Sequence, residues 1–128
     1  MFEIAAENSL NCLPPDRQRE VFERFVPESG RALFECLCWM FDASRATYVN
    51  AVRVDCPVLC VGGGRDRVVH AETVHRVAEK YRDMATDIVF PDRGHMLLLE
   101  EGWEEVADTC LDWLAQSGLG PEPAAGAA

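Results

Sequence analysis

The stretch Val58-Leu59-Cys60-Val61-Gly62-Gly63-Gly64-Arg65-Asp66 joins an apolar run to a glycine turn and then to a carboxylate. The apolar run predicts a strand buried on both faces, and the glycines end it. A second strand is predicted over residues 86–90, before a loop that carries His95. Between them, apolar positions recur at helical spacing from about residue 71 to 82. The sequence therefore predicts a parallel strand–helix–strand unit and an α/β fold class.

Asp66 and His95 each follow one of the two predicted strands. The carboxyl ends of parallel strands meet at one edge of the sheet, where open α/β sheets place their sites. An acid that precedes a histidine in this way matches the last two members of a nucleophile–acid–histidine triad. In such a pair the carboxylate orients the imidazole, whose other nitrogen acts as a base. Asp66 and His95 are therefore the candidate catalytic residues.

Each of these residues also has a purely structural interpretation. Asp66 would cap the following helix or pair with Arg65 or Arg67, and His95 would be a loop histidine bound to backbone. Two side chains at matching strand ends favour the functional interpretation, because chance would have to supply both position and order.

Two other functional classes fit the residues poorly. A phosphoacceptor aspartate of a receiver-like module would need an acidic cluster and a downstream lysine, which the sequence does not place around Asp66. A dinucleotide fingerprint counted from Gly62 would need a third glycine where Arg67 stands.

Composition and charge exclude further classes. The chain has 128 residues, 48% hydrophobic and 27% charged, which suits one domain or a piece of one. Its net charge of −10 repels phosphate backbones and anionic headgroups, so we expect no nucleic-acid partner and no membrane. No basic segment precedes an apolar stretch at the N-terminus, and no apolar run approaches bilayer-spanning length. We therefore expect a soluble, cytoplasmic protein.

Cysteine and histidine spacing predicts no metal and no cofactor. The six cysteines include no C-x-x-C pair, which favours buried free thiols in a reducing compartment over disulfides or a zinc site. His70 and His75 are five positions apart, whereas two imidazoles on one helix face are three or four apart.

The chain divides into three predicted parts. Residues 1–51 are predicted to be helical, and the second helix there, about 32–41, is apolar around most of its circumference and needs a cover. Residues 52–116 hold the strands, the crossover helix and a final helix, about 102–115. The inward positions of that helix are predicted to be Trp103, Val106, Cys110, Trp113 and Leu114. Residues 117–128 have almost nothing to bury and are predicted to be a disordered tail.

Residues 54–114 resemble the C-terminal part of an α/β-hydrolase. The matching features are a Pro-Val-Leu strand (57–59), a Gly-x-x-Asp turn (63–66), a helix, a strand, Gly94-His95 with Glu100 shortly after, and a closing amphipathic helix. Residues 1–51 resemble the helical lid that many of these enzymes insert before the acid-bearing strand. The resemblance implies a partial α/β-hydrolase fold, Asp66 as acid and His95 as base. It also implies a small-molecule substrate with an ester, thioester, amide or carbon–carbon bond.

The nucleophile of such a triad is missing from the sequence. It should precede the acid on a Gly-x-nucleophile-x-Gly turn after an earlier strand. No serine, cysteine or aspartate upstream of Asp66 has glycines on both sides in that pattern. Loss of the nucleophile costs on the order of 10⁶ in kcat, so we expect the chain alone to be nearly inert.

Three hypotheses follow from these observations. The chain is the C-terminal part of a hydrolase that a nucleophile-bearing half completes. Alternatively, it is a non-catalytic module whose apolar surfaces drive homo-oligomerisation or pairing with a complementing chain. The third hypothesis is a truncated gene product that is barely folded.

Overall fold

A computed structural model describes residues 1–120 of the protein. The first part contains helices α1 (Phe2–Glu7), α2 (Pro15–Glu23) and α3 (Gly30–Leu37), then 3-10 turns at Trp39–Phe41 and Ala51–Arg53. The second part contains β1 (Val58–Gly63), α4 (Ala71–Tyr81), a 3-10 turn at Arg82–Met84, β2 (Ala85–Phe90) and α5 (Trp103–Gln116). The chain is therefore a mixed α/β structure, as the sequence predicts.

The two strands form a parallel sheet with α4 as the crossover. Val58 lies opposite Ala85 at one end of the register, and Gly63 lies opposite Phe90 at the other. Helix α4 packs on both strands and buries Val74 and Ala78. The parallel pairing brings the loops after β1 and β2 to the same edge of the sheet.

The expectation that β1 is buried on both faces is wrong. Its residues 58–61 are half-buried, and only Gly62 and Gly63 are buried. Within residues 1–120 the sheet has only these two strands, so each strand keeps an unpaired outer edge. Side chains beside such an edge stay accessible to solvent.

The first two helices enclose a small core of their own. Leu10, Leu13 and Val21 are buried there, with Phe22 and Met96 packed against them. The loop between the helices is held by the Gln18 side chain, whose Nε2 donates to the carbonyl oxygens of Leu10 (3.1 Å) and Leu13 (2.9 Å). Because Met96 follows His95, this core places residues 1–23 directly against the histidine-bearing loop.

Helix α3 ends at Leu37, earlier than predicted, and the 3-10 turn at Trp39–Phe41 continues its apolar surface. The large apolar side chains of this surface are exposed: Leu33, Phe34, Leu37, Trp39, Met40 and Phe41. The cover that the sequence requires for them is not supplied by residues 1–120. We call these six residues the α3 surface.

Helix α5 buries a narrower face than predicted. Val106 is 2% exposed, but Trp103 is 44% exposed and lies beside a groove with Leu98 and Leu111, so the prediction that it points inward is wrong. The helix closes through the N–H groups of Ser117 and Leu119, which donate to the carbonyls of Trp113 and Leu114. Of the predicted tail 117–128, residues 121–128 lie outside the described residues.

The thiols also differ from expectation. All six cysteines fall within the described part of the chain, and none is buried; Cys36 and Cys56 are exposed, and the other four are half-buried. The prediction of buried thiols is wrong because it assumed more cover over these elements than the described residues supply. No helix within residues 1–120 combines the length and the apolar character needed to cross a bilayer.

The last residue of β1 has to be glycine. A Cβ atom on Gly63 would lie 2.2 Å from the Gly94 carbonyl oxygen and 2.5 Å from the Arg93 carbonyl oxygen. Both are backbone atoms of the loop that carries His95. A side chain here would therefore push the two site loops apart.

We predict that Gly63→Ala lowers the free energy of unfolding by at least about 2 kcal/mol, the cost of overpacking against backbone that cannot step aside. Urea denaturation measures the change. Gly30→Ala is the matched control, since Gly30 begins α3 and a Cβ atom added there would meet no atom within 4 Å. That control should be neutral or stabilising by up to about 1 kcal/mol. A Gly63→Ala protein as stable as the parent would contradict the close loop packing.

Candidate active site

The Asp66 carboxylate is fixed by backbone at the end of β1. Its Oδ1 atom accepts hydrogen bonds from the N–H groups of Val68 (2.7 Å) and Val69 (2.9 Å). The side chain is only 7% exposed. The structural interpretation of Asp66 is thus partly correct, because the carboxylate does bind the backbone that leads into α4. It forms no ion pair with Arg65 or Arg67 in the described part of the chain.

The second carboxylate oxygen of Asp66 meets His95. Oδ2 lies 2.9 Å from Nδ1 of the imidazole. The His95 side chain is 31% exposed, so part of the ring is open to solvent while its acid partner is covered. The structure therefore brings together the two residues that the sequence singles out.

The ionisation of the Asp66 carboxylate determines which nitrogen of His95 carries the proton between the two residues. Burial opposes ionisation of Asp66, but the Val69 and Val68 N–H groups and the His95 ring outweigh it and hold the pKa of Asp66 below its ordinary value. An ionised carboxylate only accepts hydrogen bonds, so Nδ1 of His95 must carry the proton. When the ring carries only this proton, its Nε2 atom keeps a free lone pair. That atom is able to accept a proton from a reacting group.

Backbone hydrogen bonds join the two loops that carry the pair. The Gly64 N–H donates to the Phe90 carbonyl (2.8 Å), and the Arg65 N–H donates to the Arg93 carbonyl (2.8 Å). With the close approach at Gly63, these bonds set the separation of the loops. The distance between Asp66 and His95 is therefore fixed by backbone geometry.

The Arg93 side chain ties the histidine loop to the start of α5. Its guanidinium donates to the carbonyls of Glu101 and Gly102 and lies 3.0 Å from the Glu105 carboxylate. Gly102 has a φ of 76°, a left-handed conformation that favours glycine. Arg93 therefore serves as an anchor of the loop rather than a surface ion pair alone.

Glu100 is a buried acid for which the sequence predicts no structural role. It is 3% exposed, and both of its carboxylate oxygens accept the Gly94 N–H, at 3.0 and 2.9 Å. Gly94 immediately precedes His95. The carboxylate thus holds the backbone on which the histidine is mounted, which makes Glu100 a positioning residue for the ring.

Residues from the α1–α2 loop complete the rear of the site. The Asn11 amide donates to the Arg65 carbonyl (2.9 Å), while its Oδ1 atom is buried with no hydrogen-bond partner within residues 1–120. A Cβ atom on Gly94 would meet Asn11, Cys12 and Glu100, each at 2.9 Å. Glycine is therefore the residue type that fits at position 94, between the histidine loop and the N-terminal segment.

Cys12 is the thiol beside Gly94, and it is unsuited to act as a nucleophile. Burial, and then the nearby Glu100 carboxylate, raise the pKa of the Cys12 thiol, which disfavours the reactive thiolate. Within residues 1–120 the only hydrogen bond of the His95 ring is the one to Asp66. No hydroxyl or thiol of the described residues is therefore bound to Nε2.

The other two histidines lie away from this site. His75 on α4 faces Asp87 on β2, with 3.1 Å between Nδ1 and Oδ2, and its side chain is 54% exposed. His70 is exposed and precedes α4. The described residues contain no group of three histidine, cysteine or acidic side chains placed to hold a metal ion.

Comparison of the chain with protein-family models, curated proteins and solved structures gave no match. Sequence signals existed for Asp66 and His95, and a weaker one for Glu100, an acid shortly after the histidine. Nothing in the sequence around Asn11 pointed to its contact with Arg65, which lies on a distant loop.

We predict that Asp66 stabilises the fold at neutral pH and that this contribution is lost in acid. Because its folded pKa lies below the ordinary 3.8, the stabilisation is complete above that value and disappears as pH falls through the folded pKa. Asp66→Asn should lower the free energy of unfolding by about 1–3 kcal/mol at pH 7. The gap between variant and parent should be constant above the ordinary value and narrow as pH falls toward the folded pKa.

Urea denaturation at several pH values between 7 and 3 measures this gap. Asp108→Asn is the control, because Asp108 is exposed in the middle of α5 and its carboxylate makes no hydrogen bond within residues 1–120. Its stability curve should run parallel to that of the parent. An Asp66→Asn protein that also runs parallel would mean that the carboxylate is not held ionised by its neighbours.

Proposed function

We propose that this chain supplies the acid and the base of an α/β-hydrolase triad that cleaves an ester, thioester, amide or carbon–carbon bond in a small molecule. The observation that carries the proposal is the 2.9 Å contact between Asp66 and His95. It lies at the carboxyl edge of a parallel strand–helix–strand unit. The order of acid and then histidine is the one used by hydrolases of this fold.

The proposal gives the two residues a proton path. Asp66 accepts the Nδ1 proton of His95, which leaves Nε2 to remove the proton of an attacking hydroxyl or thiol. The imidazolium that forms lies beside the ionised carboxylate, whose charge stabilises it. Nε2 then donates the proton to the leaving group as the bond from the nucleophile to the substrate replaces the bond that breaks. In the second half of the reaction Nε2 takes a proton from water, which releases the bound fragment and restores the nucleophile, so the proposed reaction calls for no cofactor.

The nucleophile comes, in this proposal, from a unit outside residues 1–120, either in the same polypeptide or in a complementing chain. Two features support this arrangement. The His95 side chain is 31% exposed, so a partner unit has access to part of the ring. The outer edges of β1 and β2 are unpaired within the described residues, so further strands have a place to add.

In this proposal residues 1–51 are the lid, and their first part supports the site from behind. Residues 1–23 pack on the loop that follows β2 through Met96, and Asn11 binds the loop that follows β1. These contacts would hold the lid segment on the two loops that carry Asp66 and His95.

A non-catalytic interaction module is the second candidate. The observation that favours it is the α3 surface, where six large apolar side chains lie exposed on consecutive turns. Contiguous exposed apolar residues of this kind mark interaction sites. This candidate predicts a stable homo-oligomer or complex whose formation is indifferent to Asp66→Asn and His95→Ala.

We predict that the chain alone hydrolyses p-nitrophenyl butyrate at the background rate, and that the chain expressed together with its flanking coding sequence is active. In the active protein His95→Ala should lower kcat/KM by about 10⁴-fold or more. Asp66→Asn should lower it by about 10⁴-fold, because the ring loses the partner that fixes its tautomer. Steady-state assays on size-exclusion fractions of known mass measure both effects.

His75→Ala is the matched control for these variants. His75 also faces an aspartate, Asp87, but on the exposed side of α4, so its loss should leave kcat/KM unchanged. Equal activity in the parent and in His95→Ala would overturn the triad proposal. The same activity loss in His75→Ala as in His95→Ala would show that histidine loss acts through folding rather than through the site.

A further inference from the structure

A second concave site lies away from the Asp66–His95 pair. A cavity of about 780 Å³ separates the segment 39–51 from the C-terminal half of α4. Small-molecule sites have volumes of roughly 300–1,000 Å³. The apolar part of its wall consists of seven side chains: Trp39, Met40, Tyr48, Val49, Ala51, Val77 and Tyr81. We call this space the α4 cavity.

The α4 cavity and the proposed catalytic site are at opposite edges of the sheet. Helix α4 begins at Ala71, just after the Asp66 turn, and ends at Tyr81, just before β2 starts. Its eleven residues span about 16 Å. Because Val77 and Tyr81 belong to the far end of the helix, the cavity is separate from Asp66 and His95.

The wall of the cavity carries two positive side chains that form no ion pair within residues 1–120. Lys80, the only lysine in the chain, and Arg45 both line it. Within residues 1–120 no carboxylate lies at ion-pair distance from either cation. In a chain with a net charge of −10, two unpaired cations on one cavity wall form a local reversal of sign.

The one carboxylate in the wall is engaged by its own turn. Asp42 accepts hydrogen bonds from the Ser44 hydroxyl (2.6 Å), the Ser44 N–H (2.9 Å) and the Ala46 N–H (2.7 Å). These bonds keep the carboxylate ionised and hold it on its turn. With one anion and two cations the wall still carries a net positive charge, supplied by Arg45 and Lys80.

The turn also places Arg45 against an aromatic ring. Arg45 has a φ of 52°, in the left-handed region that non-glycine residues rarely adopt. The Tyr48 N–H donates to the Arg45 carbonyl (2.9 Å), and the guanidinium lies 4.1 Å from the centre of the Tyr48 ring. A cation and an aromatic face are thus held together on one side of the cavity.

We propose that the α4 cavity binds a small organic anion, a carboxylate with an aromatic or branched apolar body. The carboxylate pairs with Arg45 and Lys80, since guanidinium and ammonium groups form charge-assisted hydrogen bonds with carboxylate oxygens. The apolar body packs against Trp39, Tyr48 and Tyr81. This site is independent of the proposed hydrolase function, because it shares no residue with the Asp66–His95 pair.

Calorimetric titration of the full chain with 2-naphthoate tests the proposal, with 2-naphthalenemethanol as the uncharged analogue of the same shape. We expect the carboxylate to bind at least about tenfold more tightly than the alcohol, because a charge-assisted hydrogen bond contributes that much. Lys80→Gln should weaken binding of the carboxylate by about tenfold and leave binding of the alcohol unchanged.

Arg53→Gln is the matched control, since it removes one positive charge from an exposed side chain that does not line the cavity. It should leave both affinities unchanged, which separates a specific contact from the general charge of the chain. A second readout uses reductive ¹³C-methylation, which keeps the positive charge of Lys80. Because the chain has a single lysine, the label enters only two groups, the Lys80 side chain and the N-terminal amine. The Lys80 methyl signal should shift with 2-naphthoate and not with the alcohol.

Three results would overturn the proposal. One is equal affinity for acid and alcohol, which would make the cavity a nonspecific apolar surface. Another is unchanged affinity in Lys80→Gln. The third is the absence of saturable binding to the full chain, which would indicate that the cavity is a packing surface for another polypeptide segment.

Discussion

Close contact between two backbone loops is the constraint on which the rest of the site depends. Gly63 ends β1 without a side chain, and the carbonyl groups of Arg93 and Gly94 occupy the space that a Cβ atom would need. Because the loops touch there, Asp66 and His95 come within hydrogen-bond distance although they follow different strands. Glu100 and Asn11 then hold the two loops from behind. The separation of Asp66 and His95 is thus set mainly by contacts between backbone atoms of the two loops.

The chain contains a second histidine–aspartate pair, and the contrast between the two shows which one suits the proposed chemistry. His75 and Asp87 are 3.1 Å apart, but the histidine side chain is more than half exposed and lies on the solvent side of α4. Its hydrogen bond to the exposed Asp87 carboxylate raises the pKa of His75. Asp66 is instead covered and bound by two backbone N–H groups, which fixes one protonation state and one orientation. Distance alone would not separate the two pairs.

Local sequence patterns predicted the elements that carry the site, and long-range contacts account for what they missed. The apolar run before Gly62 and the helical spacing of Val74 and Ala78 are local signals, so β1 and α4 were predicted within a few residues of their observed bounds. The burial of β1 was overestimated, because an apolar sequence pattern shows which side chains favour burial but does not show whether other elements cover them. The exposure of Trp103 was missed for the same reason. The contact of Asn11 with Arg65 depends on loop conformation between distant segments, which no spacing in the sequence encodes.

The tautomer of the His95 ring tests the central claim most directly, because the proposed base requires a proton on Nδ1 and a free Nε2. Long-range ¹H–¹⁵N NMR of the full chain near neutral pH resolves the rings of its three histidines. We expect an Nδ1–H tautomer with a strongly deshielded proton for His95, whose ring is assigned by its absence in His95→Ala because His75 also places Nδ1 against a carboxylate. Asp66→Asn should abolish that signal and leave the other two rings unchanged. An Nε2–H tautomer for His95, or a ring indifferent to Asp66→Asn, would contradict the account.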